Sequence, residues 1–299
     1  VKAALLGPGG LIGSAVAAVL SARGHSIVGI GHGAATIKAD LADVSAIALD
    51  WFAGCDALIH CAGVTDEEVK ADVGQAAKRA FMATSALIEN GRRAGVSRFI
   101  YVSSAHVYGQ LVGHIDENTQ PNPLSDYALL HFVAEQVFRR AATENDVLIL
   151  RPCAVYGPLP DPARFRRWSL VPFSFPRDAA MLGEIKLASA GTQRRNFVSS
   201  QAVAEAAVDW LERPVKGITT ANVLGNEDLS ISALADRTAA LCQSAIGRPC
   251  KVTRPQQGGA ASPDTFAYRS NVEKPRPGLP LDQHLINILN AYRETGAVR

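Results

Sequence analysis

The chain alternates short apolar runs with longer segments whose apolar positions recur every three or four residues. Ala3 to Leu6 reads as a buried strand, and after a glycine-rich turn Leu11, Ile12, Ala15, Val16, Val19 and Leu20 fall at helical spacing. Arg23-Gly24 closes that helix with a basic last turn and a glycine. Ser26 to Ile30, Asp56 to Cys61, Arg98 to Ser103 and Val147 to Leu150 read as further strands. Gln75 to Ala94 reads as a helix. So does Ser125 to Ala142, after the Pro121-x-Pro123 turn, with Leu130, Val133, Val137 and Ala141 on one face. Strands separated by helices of this length need right-handed crossovers, which give a parallel sheet covered on both faces. The expected class is α/β, a doubly wound parallel sheet.

After Gly157 the pattern changes. Pro158, Pro160, Pro162, Pro172 and Pro176 are expected to interrupt any regular element, so a more irregular region begins there. Val203 to Leu211 reads as a helix that returns to the first core, with later helices over Ile231 to Leu241 and Leu281 to Tyr292. The expected division assigns residues 1–165 to the sheet domain, with 196–222 returning to it. Residues 166–195 and 223–299 then form a smaller, mixed C-terminal substrate-binding region.

Composition narrows the classes. Apolar residues make up 47% of the 299, enough for a sizeable core and too many for a disordered chain. Thirty basic against 28 acidic residues leave +2 with no clustered basic run, so a nucleic-acid polymer is not an expected partner. The five cysteines, Cys55, Cys61, Cys153, Cys242 and Cys250, contain no C-x-x-C pair. They suit free thiols in a reducing compartment, and no metal site is expected. The most apolar window, Leu11 to Leu20, is too short to span a bilayer. The expectation is a soluble, cytoplasmic protein without membrane contact.

Gly7-Pro8-Gly9-Gly10-Leu11-Ile12-Gly13 sets glycines at G-x-x-G-x-x-G between the first strand and the first helix. Bare main chain there lets a pyrophosphate approach the amides of a helix N-terminus, where the dipole favours negative charge. A tight turn without ligand is the plainer reading. The context makes this a Rossmann-type dinucleotide site. An acid is expected about 20 residues further on, to hold the adenosine ribose, but Ile30-Gly31-His32 stands there. Without a carboxylate a 2′-phosphate is not repelled, and His32, Arg23 or Lys38 can approach it. The cofactor is therefore NADP or NAD. Asp40-Leu41 is expected beside the adenine, and Asp43 as a helix cap near Val44.

Three segments look chemical: Tyr101 to Gly109 after a strand, Tyr127 with His131 one helical turn later, and Arg151 to Pro158 at another strand end. Ligands of open parallel sheets sit beyond the carboxyl ends of the strands. A serine and a tyrosine delivered there can share one substrate oxygen. At these residues the sequence resembles the extended short-chain dehydrogenase/reductase family, the nucleotide-sugar epimerases and dehydratases, along almost the whole chain. The matching pieces are the glycine turn, Asp40-Leu41, His60-Cys61-Ala62-Gly63, the Ser-Ser-Ala-x-Val-Tyr-Gly run, Tyr127, the Arg-Pro-x-x-Val-Tyr-Gly-Pro run, and Gly191 to Val198.

The resemblance implies an NAD(P)-dependent epimerase or ketoreductase acting on a sugar or nucleotide sugar. Ser104 matches the serine that polarises the substrate oxygen, and Tyr127 the acid/base tyrosine. Gly7, Gly10, Leu11, Ile12 and Gly13 would hold the cofactor, with Cys61, Ala62, Gly63, Tyr127, His131 and Pro152 further along it. His106 and Arg195 would meet the substrate, Arg195 at a diphosphate. Relatives also pair through the two long helices, so a homodimer is expected.

Four positions depart from that family pattern. His131 stands where a lysine normally favours the phenolate and holds the nicotinamide ribose; a protonated histidine would supply part of the same field. Ala80 and Ala154 replace two asparagines, and Gly31 replaces the acid after the second strand. The alternative reading is a weak or inactive NAD(P)-binding sensor or assembly protein. Ala105-His106 occupies the positions where dehydratases carry acids, which disfavours elimination of water. Cys61 and Cys153 read as small buried fillers rather than nucleophiles.

Overall fold

The computed structural model describes residues 1–33, 35–159, 161–162, 165–255 and 266–293. The first half of the chain runs β1 (Lys2–Leu6), α1 (Leu11–Ala22), β2 (Ser26–Gly31), β3 (Ile37–Lys38), β4 (Ala57–His60), α2 (Asp66–Ala71), α3 (Val73–Lys78), α4 (Thr84–Arg93), β5 (Arg98–Val102), β6 (Gly113–Ile115), α5 (Asp126–Ala141) and β7 (Asp146–Pro152). The second half runs β8 (Ala154–Tyr156), α6 (Val171–Leu182), β9 (Glu184–Lys186), β10 (Arg194–Ser199), α7 (Ser200–Glu212), β11 (Ile218–Val223), β12 (Glu227–Ser230), α8 (Ile231–Ile246), β13 (Lys251–Thr253), β14 (Phe266–Tyr268) and α9 (Leu281–Arg293).

Seven strands form one sheet in the order β11-β7-β5-β4-β1-β2-β3, and every neighbouring pair is parallel. Alternate residues of each strand face opposite layers, and both layers are apolar, which is why the strands read as unbroken apolar runs. Ala3, Leu5, Ile59, Ile100 and Leu148 pack on Val16 and Leu20 of α1 and on Val203, Ala207 and Trp210 of α7. Ala4, Leu6, Leu58, Phe99 and Val147 pack on Leu87 and Ile88 of α4 and on Ala134, Val137 and Phe138 of α5. Each fully buried Val, Leu, Ile or Phe contributes roughly 1.5–3 kcal/mol by leaving water. The chain winds outward from β1 in one direction to β3 and from β4 in the other, so a crevice opens at the carboxyl ends of β1 and β4. Late in the chain, β11 pairs with β7 from Ile218 opposite Val147 to Val223 opposite Pro152.

Two sequence expectations need correction here. The helix expected over Gln75 to Ala94 is longer: α3 begins at Val73 and reaches α4 through a π turn, Arg79–Ala83. Ala76, Ala80, Ala83 and Leu87 keep three- and four-residue spacing through that turn, so nothing in the apolar pattern marks it. The prolines after Gly157 do not abolish regular structure either, because Val171–Leu182 is helical with Pro172 in its first turn and Pro176 inside it. A first-turn proline loses no helical bond. Pro176 leaves the Pro172 carbonyl without its usual donor, and Nε2 of the buried His284 on α9 supplies one at 3.0 Å. The helix survives because another helix completes it. Phe173, Phe175, Leu234, Leu285 and Leu289 form the core joining α6, α8 and α9. Among the described residues no helix is long and apolar enough to cross a membrane.

Candidate active site

The turn between β1 and α1 is built on close approach. Gly7 has φ +77°, and a β-carbon there would lie 3.0 Å from that of Ala62. A β-carbon on Gly13 would lie 2.0 Å from the Gly7 carbonyl oxygen, so any side chain forces the turn apart. Gly10 is the N-cap of α1, with no side-chain cap and no acid in the first turn. The first amides of the helix are thus left to face the crevice, and this cradle fits a dinucleotide pyrophosphate. The opposite lip is the segment after β4. There Nδ1 of His60 accepts from the Ala62 amide at 3.2 Å, and Arg79 donates to the Ala62 carbonyl at 3.1 Å.

At the far end, β2 closes on Gly31 with φ +138°, and no carboxylate stands there. His32 and Asp40 are exposed, and the Asp40 carboxylate accepts from the Ala42 amide at 2.9 Å. Leu41 is buried and lines a small cavity with Ala62 and Arg79. Asp43 caps the short turn Val44–Ala46 by accepting from the Ser45 amide.

The cleft at the carboxyl ends of the strands, about 200 Å³, is lined by Gly10, Leu11 and Ile12, by Cys61, Gly63 and Val64, and by Ser104, His106, Tyr127, His131, Pro152 and Cys153. The carboxyl end of β5 delivers Ser104, which caps the turn Ala105–Tyr108 by accepting from the His106 amide. Tyr127 enters on the first turn of α5, whose N-cap is Ser125. Its ring meets His131 edge-on at 4.6 Å between centroids and His106 at 5.9 Å. Burial lowers the His106 pKa to about 4, with the charge of Arg195 adding to the effect. Burial also raises the thiols of Cys61 to about 12 and Cys153 to about 11, so neither is a ready thiolate.

His131 does not behave as the cation considered from sequence. Its Nε2 lies 3.2 Å from the Val64 carbonyl oxygen, which can only accept, so that nitrogen carries the proton. Nδ1 then accepts from the Tyr101 hydroxyl at 2.7 Å. Burial lowers the pKa to about 3, and the positive charge of Arg167 pushes the same way. His131 is a neutral brace between β5 and the segment after β4. Gly63 accommodates it, since a β-carbon there would lie 2.9 Å from the ring.

Beneath the cleft lies a closed ionic network. Glu135 and Arg151 are 0% and 2% exposed, and the guanidinium is bidentate, with Nε to Oε1 at 2.9 Å and Nη2 to Oε2 at 2.6 Å. Ser103 donates to the same carboxylate at 2.6 Å, and the Arg151 guanidinium lies 4.7 Å above the Tyr108 ring. This ties the residue after β5 and the penultimate residue of β7 to α5, fixing the backbone next to Ser104 and Pro152.

Of the residues expected around the cofactor and substrate, Gly7, Gly13 and Ala62 shape the walls from behind, whereas His32 and Asp40 lie outside the cleft. Arg195 does not line it; its guanidinium donates to the Arg194 carbonyl at 2.7 Å. Three polar lining residues have no counterpart in the sequence reading: Thr65, Asp66 and Arg167. Thr65 caps α2 and Asp66 is its first residue, and the capping box Thr65-x-x-Glu68 was the available signal. Arg167 sits in the proline-rich stretch, where no periodicity points anywhere.

Fold and crevice together define a dinucleotide-binding enzyme architecture of the Rossmann type, with a serine and a tyrosine at the mouth. Residues 3–224 match the NAD dependent epimerase/dehydratase family, and the chain belongs to that family. Its cofactor class is the nicotinamide dinucleotide. Two curated relatives are 31% identical. The dTDP-D-glucose 4,6-dehydratase of Mus musculus matches over 51% of this chain and 42% of its own length. The ADP-L-glycero-D-manno-heptose-6-epimerase of Thiobacillus denitrificans matches over 51% and 47%. The chain thus spans less than half the length of these curated relatives. Among solved structures, RMD from Pseudomonas aeruginosa complexed with NADPH aligns with TM-score 0.78 at 22% identity, covering 98% of this chain and 99% of that one. The UDP-glucose 4-epimerase of Thermotoga maritima, with UDP-glucose, aligns with TM-score 0.79 at 19% identity and covers 99% of both. These likenesses establish the shared fold.

Proposed function

We propose that the protein is an NAD(P)-dependent epimerase or ketoreductase acting on a sugar, with nucleotide sugars as the first class to try. The observation that carries this reading is the meeting of Ser104 and Tyr127 in one cleft with the uncapped N-terminus of α1. The bound nicotinamide supplies a hydride acceptor or donor. Ser104 holds the substrate oxygen, and Tyr127 exchanges its proton as that oxygen passes between hydroxyl and ketone. The Glu135–Arg151 network keeps both groups in register. With Gly31 in place of an acid and His32 and Lys38 exposed nearby, NADP is slightly preferred over NAD. The two solved structures named above, one complexed with NADPH and the other with UDP-glucose, support both choices.

A second reading, a cofactor-binding protein with little turnover, is favoured by one observation. His131 is neutral and engaged at both nitrogens, so it does not supply a lysine's field. Homodimerisation through the two long helices is supported by Phe81 and Met82 beside α4 and by Leu129 on α5, all exposed. We assign the protein to the cytoplasm on its five free cysteines.

The test is turnover of UDP- and dTDP-sugars with NADP or NAD, in wild type and Tyr127→Phe. The enzyme reading expects slow wild-type turnover that Tyr127→Phe removes while cofactor affinity stays within about threefold. Cofactor binding without turnover on any sugar tried would leave the second reading in its place.

A further inference from the structure

Arg167 lines the cleft beside Gly10, Ser104 and Tyr127, and its charge is incompletely matched. Its Nε is buried with no hydrogen-bond partner among the described residues, and so is Oε2 of Glu67. These two atoms face each other at 3.8 Å, an ion pair without a hydrogen bond. Glu67 is held back by its other oxygen, which accepts from Ser169 Oγ at 2.7 Å. The contrast with Arg151 and Glu135 is direct, because that structural pair closes to 2.6 and 2.9 Å in bidentate form. A guanidinium favours planar, bidentate acceptors such as carboxylate or phosphate. Leaving a buried donor unmade costs free energy that a suitable anion would recover.

The surroundings select an anion. Among the described residues lining the cleft, Arg167 alone carries a permanent positive charge, and Asp66 is the one carboxylate. His106 and His131 are neutral, and the Arg167 charge helps keep them so. The same cleft contains the first residues of α1, so the guanidinium and the helix N-terminus border one space.

We propose that Arg167 is a diphosphate-binding residue of this cleft, and that Glu67 pairs with it until the ligand's diphosphate takes its place. The proposal rests on the functional reading above, since the diphosphate belongs either to the dinucleotide or to a nucleotide sugar. Ligand entry then exchanges a loose ion pair at the mouth for a hydrogen-bonded one, and Arg167 contributes to affinity rather than to proton transfer.

The experiment is calorimetry on the full chain with three probes: NADPH, UDP-glucose and inorganic pyrophosphate. Arg167→Gln is expected to weaken pyrophosphate and one of the two larger ligands by at least tenfold, leaving the other within about twofold. The ligand affected identifies the source of the diphosphate. Arg167→Lys should recover only part of the loss, because a point charge replaces a fork. Glu67→Gln should tighten the same ligand severalfold by removing the competitor, which a structural latch would not do. Wild-type affinities in Arg167→Gln for all three probes, or a Glu67→Gln that weakens binding as Arg167→Gln does, would overturn the proposal. If wild type binds pyrophosphate but neither larger ligand, the functional reading fails while Arg167→Gln still decides the role of Arg167.

Discussion

The Tyr101 hydroxyl lies 2.7 Å from Nδ1 of His131 and donates to it, which commits the imidazole to one neutral tautomer. Burial and nearby negative charge, that of Glu135 among them, raise the Tyr101 pKa well above its ordinary value, so the phenol keeps the proton it donates. The position where the family resemblance implies a lysine therefore carries a rigid, neutral strut. His131→Ala should remove the partners of both Tyr101 and the Val64 carbonyl. The expected cost is about 2–4 kcal/mol, from two buried groups left unsatisfied, measured by urea unfolding.

A pH dependence of stability follows from three buried histidines. Burial lowers the pKa of His60 to about 3, His131 to about 3 and His284 to about 4. An unfolded histidine titrates near 6.5, so as pH falls the unfolded chain takes up protons first. Stability is full above about pH 6.5 and is lost progressively below it, down to the folded pKa values. Each of these histidines contributes a slope of about 1.4 kcal/mol per pH unit, and His106, whose pKa burial also lowers to about 4, adds a fourth, so the slope approaches about 5–6 kcal/mol per unit. Denaturant midpoints measured from pH 7.5 to 5 should fall steeply below 6.5. A flat profile over that range would show that these rings are not buried neutral.

Breaking the ionic network under the cleft should be expensive. Glu135→Ala leaves the Arg151 guanidinium buried without a counter-charge, and the expected loss is about 3–5 kcal/mol. Glu135→Gln keeps the volume but not the charge, and should lie between the variant and wild type. Equilibrium unfolding of the two variants gives the order.

The proline helix offers a double-mutant cycle. His284→Leu removes the donor to the Pro172 carbonyl and should cost about 1–3 kcal/mol. Pro176→Ala restores the helix's own amide to that carbonyl, so the same His284→Leu change should cost less in its presence. Additive effects in thermal unfolding would show that the two sites do not share the carbonyl.

Gly13→Ala should damage the phosphate turn. Its β-carbon would fall 2.0 Å from the Gly7 carbonyl, and the backbone must move to admit it. Calorimetry with NADPH and NADH should show at least tenfold weaker binding, and the wild type should favour NADPH slightly.

What the sequence revealed depended on how locally each feature is encoded. The glycine turn and α1 are legible because four glycines and an apolar stripe lie within 14 residues, Gly7 to Leu20, of one chain segment. α5 was legible for the same reason, and it carried Tyr127 with it. α6 was not, because Pro176 contradicts a helix unless His284, 112 residues beyond Pro172, is placed against it. The charge of His131 was equally hidden, since Tyr101 and Val64 come from two other elements. Arg167 had no signal at all: its meaning comes from Glu67, 100 positions earlier.

The placement of β11 and α7 has a consequence for synthesis. β11 is an outer strand of the large sheet, and α7 covers α1 with Val203, Ala207 and Trp210. As the ribosome extends the chain, the nucleotide-binding half stays unfinished until Val223 has emerged, although most of its strands left the tunnel long before. During that interval the faces of Val16, Val19 and Leu20 have no cover, and the edge of β7 has no partner. A nascent chain paused between β7 and β11 is therefore a natural client for a holding chaperone, and a gene cut near residue 165 would yield an aggregating fragment rather than half an enzyme.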